Sequence, residues 1–112
     1  MSFRIQKVNS LIREQIGEIF TRELDIKSGV FLTIAKVDTT KDLRYTHVFV
    51  SIFPEKETNY VEVALKNERS NIQRKLNKRL HMKILPEINF KIDKTEVEAD
   101  EIEKILRKIK NQ

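Results

Sequence analysis

Two runs dense in β-branched and aromatic residues, 30–38 (VFLTIAKVD) and 45–53 (YTHVFVSIF), lie either side of Thr39-Thr40-Lys41-Asp42-Leu43-Arg44. Short extended runs joined by a polar connection read as a β-hairpin, and Pro54, which lacks a ladder donor, ends the second strand. A lone hairpin is marginal in water, so the flanking segments must cover it. They have the period to do so. Ile5, Val8, Ile12, Ile16, Ile19, Phe20 and Leu24 form one helical stripe over about 3–25, with Ser2 as a fair N-cap.

Helical spacing resumes near Thr58 or Asn59, where Asn59 and Glu62 have capping-box-like spacing and Val61, Ala64 and Leu65 are apolar. Cap-type Ser70 and Asn71 predict a break over 67–71, followed by a stripe of Ile72, Leu76 and Leu80 at steps of four. Residues 83–92 read as a third strand, with Ile84, Ile88, Phe90 and Ile92 on one face and Pro86 marking an edge or bulge. Glu96, Glu98 and Asp100 open a last helix over about 96–110, with Ile102, Ile105, Leu106 and Ile109 as its stripe. It closes with Arg107, Lys108 and Lys110, the charge order a helix dipole favours. The expected fold is α+β in the order α-β-β-α-α-β-α, with a three-stranded sheet. A right-handed crossover would set 83–92 parallel to one hairpin strand. Residues 1–112 read as a single domain, without repeats or a linker.

Charge is the first functional clue. Lys and Arg number 22 against 17 Asp and Glu, a net charge of +5. The excess sits in 66–83, where Lys66, Arg69, Arg74, Lys75, Lys78, Arg79 and Lys83 face Glu68 alone. With Ile72, Leu76 and Leu80 turned inward, Arg74 and Lys78 form one i,i+4 row and Lys75 and Arg79 another. Like charges at that spacing oppose each other, and closely spaced phosphates would compensate them. A solvated helix face and a membrane-surface helix are the alternatives; the stripe lacks the Trp or Phe of the latter.

Catalytic readings find little support. Cys is absent, which removes disulfides, thiol catalysis and Cys-ligated metals. Gly17 and Gly29 are the only glycines, so no phosphate loop exists. His47 and His81 stand apart without ligand-spaced partners, and Ser51 has no nucleophile elbow. The acidic cluster at 96–103 reads as a helix N-terminus rather than a cation site. No cofactor is expected, and the chain reads as a non-enzyme. No apolar run is long enough to span a membrane, and Arg4, Lys7, Arg13 and Glu14 rule out a signal peptide, so cytoplasm is the default. A lone small domain without an obvious apolar patch suggests a monomer. Tyr45, Phe49 and Phe53 have the alternation of a strand face packed into the core, in preference to one that stacks on bases.

A helix–strand–strand–helix–helix–strand unit with a basic helix pair has the element order of a KH module, whose GXXG loop clamps single strands. The joint here is Asn67-Glu68-Arg69-Ser70-Asn71, without GXXG. Four segments go further. Arg4-Ile5-Gln6-Lys7-Val8 with Phe20-Thr21-Arg22-Glu23-Leu24, the hairpin Val37–Ser51, Ile72-Gln73-Arg74-Lys75-Leu76, and Arg79–Phe90 with Asp93 resemble the ribosome-binding factor A family. The match covers nearly the whole chain in order. The hairpin, V-x-x-S/T-x-D-L-x-x-A-x-V-x-V-S in the family, is the most specific part and has Thr46 where Ala is commoner. Gln73 stands where Arg is usual.

The resemblance implies a type II KH-like fold whose central helices meet at an Ala-x-Gly kink, here Glu68-Arg69-Ser70. It further implies binding to the free or immature 30S subunit through 16S rRNA. Support of late maturation and 5′-end processing, importance in the cold, and release linked to an assembly GTPase are also implied. The RNA-binding residues expected are Arg74, Lys75, Lys78, Arg79, Arg69, Lys66, Lys83, Arg4, Lys7, Lys41 and Arg44. A general KH-like nucleic-acid module and a protein-binding adaptor are the rival classes; the adaptor would show weak salt dependence.

Overall fold

The computed structural model describes residues 3–94 and 105–106. The elements are α1 (Phe3–Glu23), β1 (Phe31–Thr39), β2 (Tyr45–Phe53), a 3-10 turn (Glu55–Glu57), α2 (Thr58–Arg79) and β3 (Glu87–Ile92). The sheet order is β1-β2-β3, with β1 antiparallel and β3 parallel to β2. The expected α+β fold and parallel third strand are present. Both helices pack on one face of the sheet. Ile12, Ile16 and Ile19 of α1 and Val61, Leu65, Ile72 and Leu76 of α2 meet Val48, Val50 and Ile88 there. Each such side chain contributes about 1.5–3 kcal/mol by leaving water, so this apolar layer fixes the fold.

The hairpin connection is held by its own polar atoms. Thr40 N donates to Tyr45 O at 2.9 Å, and Leu43 N to Thr40 O at 2.9 Å. Asp42 Oδ1 accepts from Thr40 Oγ1 at 2.6 Å and from Arg44 N at 3.1 Å. Those bonds, Thr40's first, lower the Asp42 carboxyl pKa. Leu43 adopts φ 62, unusual for a branched residue, while its side chain is buried in the core. Burial of Leu43 offsets the backbone cost. Next to the turn, Thr46 is fully buried and its hydroxyl lies 2.8 Å from that of Thr39, which donates to Asn9 Oδ1 at 2.5 Å. The buried Thr46 hydroxyl therefore has a partner.

Several expectations fail for identifiable reasons. The two helices expected around Glu68-Arg69-Ser70 are one, Thr58–Arg79, with no interruption at 67–71. Neither Gly nor Pro occurs in that span to break it. The Asn71 side chain donates to Glu68 at 3.2 Å and accepts from Arg74 at 3.1 Å, i,i+3 bonds that keep it from competing for backbone groups. Asn59 does not cap α2. Glu57 is the N-cap residue, without a side-chain bond, and Thr58 Oγ1 donates to Glu55 O at 2.6 Å. The third strand starts at Glu87, so Ile84 precedes it and is exposed. Ser2 and the C-terminal helix lie outside the described residues except for Ile105 and Leu106, which are helical and exposed.

The aromatic face is the largest correction. Thr46, Val48 and Val50 point to the helices, so Tyr45, Phe49 and Phe53 lie on the other face of the sheet. Tyr45 and Phe53 are 44% and 68% exposed, and Phe31, opposite Phe53, is 63% exposed. An apolar patch expected to be absent is therefore present. The strand alternates as its residue types predict, and the packing of the helices decides which parity faces the core.

Candidate nucleic-acid interface

The 3.6-residue repeat of α2 divides its cations among three surroundings. Lys75 and Arg79 lean on α1. Arg79 Nη1 lies 2.7 Å from Glu18 Oε2 and 3.3 Å from Gln15 Oε1, and Lys75 Nζ is 3.5 Å from Glu23 Oε2. Glu68 is thus not the only carboxylate near this row, and Lys75 and Arg79 are largely spoken for within the fold. Arg74 and Lys78 project to solvent, with no carboxylate partner for either among the described residues. Arg69 turns to β3 and pairs with Glu87.

On the β3 side a groove of about 540 Å³ runs between α2 and the sheet edge. Lys66, Arg69, Lys91 and Lys94 line it over a floor of Leu65, Phe90 and Ile92, with Glu62 at its margin. Lys66, Lys91 and Lys94 have no ion-pair partner among the described residues. β3 is an edge strand, so its outer backbone groups also face this groove. Gln73 sets the groove's geometry. Its Nε2 donates to Pro86 O at 3.0 Å and its Oε1 accepts from Ile88 N at 2.7 Å, pinning the start of β3 to α2. A cationic guanidinium, which has no acceptor, could not make the second of these bonds.

The remaining expected cations gather elsewhere. Arg4, Lys7 and Lys83 line a second cleft of about 460 Å³ with His81 and Leu43. Lys41 and Arg44 are exposed on the hairpin connection. The structure brings Lys66 and Arg69 together at one groove and Arg4, Lys7 and Lys83 at another, and separates Lys75 and Arg79 from both. Lys91 and Lys94 were missed. Along the chain Glu87 balances Lys91, whereas in space Glu87 is occupied by Arg69. The alternation of 87–92, which turns Lys91 outward, was the signal available.

Fold and surface together define a small α+β domain with a basic helix-and-strand groove. No three metal-ligating side chains converge among the described residues. Residues 4–106 match the family model for ribosome-binding factor A, and the chain belongs to the ribosome-binding factor A family. It is 37% identical to the Dictyoglomus thermophilum ribosome-binding factor A, across 98% of this chain and 91% of that protein. The solution structure of a Thermotoga maritima protein described as a ribosome-binding factor A superposes with a TM-score of 0.67. It is 29% identical, over 85% of this chain and 92% of that one. A Thermus thermophilus ribosome-binding factor A homology model, fitted into a cryo-EM map of a 30S complex, shares the fold at TM-score 0.60. It is 22% identical over 84% of this chain and 96% of that one.

Proposed function

We propose that this chain is a non-catalytic ribosome-assembly factor, a single RNA-binding domain that holds the immature 30S subunit through 16S rRNA and supports its late maturation. The groove between α2 and β3 carries the reading: three cations without ion-pair partners among the described residues line it, and Arg74 and Lys78 extend the charge outward. Cations in such rows match the close spacing of nucleic-acid phosphates. Few base-reading groups line the groove, so contacts there position the RNA by backbone and shape. The Thermus thermophilus relative has been fitted in a 30S complex, and a partner of that class suits this surface. No helix among the described residues is long and apolar enough to cross a membrane. Sedimentation with precursor and with mature small subunits, at several salt concentrations, tests the proposal. Salt-sensitive binding that favours the precursor is expected. Equal binding to both particles and to unrelated RNAs would make it a general nucleic-acid module, and salt-insensitive binding would make it a protein adaptor.

A further inference from the structure

The face of the sheet opposite the helices adjoins the groove at Asn89 and Lys91, which belong to both, and extends from there across β2 and β1. Its residues align in register across the strands. Phe31 stands beside Phe53 and Thr33 beside Ser51; Phe49 lies between Lys36 and Lys91, and His47 between Asp38 and Asn89. The β1 irregularity between Ile34 and Lys36 makes this possible. Strict alternation from buried Ile34 would send Lys36 into the core; the extra residue turns it outward. Its Nζ then lies 5.7 Å from the Phe49 ring centroid, and the Phe31 and Phe53 centroids are 6.5 Å apart.

We propose that this outer sheet face is a second RNA contact, a stacking platform for unpaired nucleotides. Same-face residues along β2 are about 6.8 Å apart, roughly twice the 3.4 Å rise of a stacked strand. A stretched single strand laid along β2 meets a ring at Tyr45, hydrogen-bonding groups at His47, a ring at Phe49, a hydroxyl at Ser51 and a ring at Phe53. His47 Nδ1 itself is buried and has no hydrogen-bond partner among the described residues, so only the ring's outer edge is open to a ligand. Sheet-borne aromatics stack splayed bases in the RNA-recognition motif by this chemistry. Charge also favours this occupant. Lys36 and Lys91 bracket the central ring, and Arg69 occupies Glu87, leaving Asp38 as the one carboxylate of the face without an ion pair among the described residues. A second copy of the chain fits less well. A two-fold contact centred on this face would oppose its Lys36–Phe49–Lys91 row to the same row, cation against cation. The proposal shares its ligand class and Lys91 with the groove reading, but it needs bases and rings, where the groove needs phosphates.

The test uses the full chain and a short oligouridine of about eight nucleotides. Amide and ring chemical-shift changes are expected at Tyr45, His47, Phe49, Ser51 and Phe53, none of which lines the groove. Phe49→Leu with Phe53→Leu, which keeps apolar bulk, should weaken oligouridine binding at least roughly tenfold without altering its salt slope. Binding of a duplex of the same length should not change, because paired bases cannot reach the rings. Shifts confined to α2 and β3's groove side would overturn the platform while leaving the groove reading intact. Wild-type shifts at the outer face that depend on protein concentration alone would assign the face to self-association and also overturn it. Since the wild-type map stands without the variant, a folding defect in the double substitution leaves the question decidable.

Discussion

Arg74 and Arg79 lie five residues apart on the same helix, yet they belong to different parts of the protein's chemistry. Arg79 faces α1 and is held by Glu18 and Gln15. Arg74 faces solvent and, among the described residues, its guanidinium bonds Asn71, a residue of its own helix. In sequence both lie in one basic run and count equally toward its charge. The difference comes from what is packed opposite, and it separates cations that hold the fold from cations left for a ligand. A polyanion would first meet those whose charge is not already answered.

The largest effect should come from the second group. Replacing Lys66, Arg74, Lys78 and Lys94 by Gln should lower the salt slope of precursor-subunit binding by about 0.7–0.9 per lost phosphate contact, roughly 3 in all. The melting temperature should hardly move, because these side chains are outside the core. If the slope is unchanged, the division drawn along α2 is wrong, and the cleft of Arg4, Lys7 and Lys83 becomes the next surface to test.

Gln73 separates positioning from charge. Gln73→Ala leaves Ile88 N and Pro86 O without their partner and should cost about 1–3 kcal/mol in chemical denaturation. The salt slope should stay, and exchange of the Ile88 amide should quicken. Full stability in this variant would show that β3 does not depend on α2 for its placement.

The smallest changes should come from the α1-facing row. Arg79→Gln should lose about 0.5–1 kcal/mol and Lys75→Gln a few tenths, as partly exposed pairs do. Both should bind precursor subunits with nearly the wild-type salt slope. A drop in slope as large as that of Arg74→Gln would mean that Glu18 and Glu23 release their partners to RNA. Hydrogen exchange examines the same helix from another side. Amides 67–71 should be protected like their neighbours in an unbroken α2, and a fast patch there would restore the expected joint.

The hairpin was legible because its constraints are local. Asp42 bonds groups two residues away, and Pro54 follows the strand it closes. The stripes of α1 and α2 were legible for the same reason, since a helical period can be counted without knowing what it packs against. The break in α2 was misread because Ser70 and Asn71 are cap formers by type, while their surroundings offer side-chain partners within the helix.

The sequence by itself determined the first helix, the hairpin and the later strand in their order, the inward stripes, the excess of positive charge between 66 and 83, and the chain's family. Tertiary structure decided which cations are answered, which face of β2 meets the helices, and that Lys91 and Lys94 join Lys66 at one groove. Those outcomes rest on contacts such as Gln15 with Arg79, 64 residues apart. Periodicity reports only the few residues around each position. Charge pairing and sheet facing depend on neighbours that the chain brings together only when its apolar layer closes.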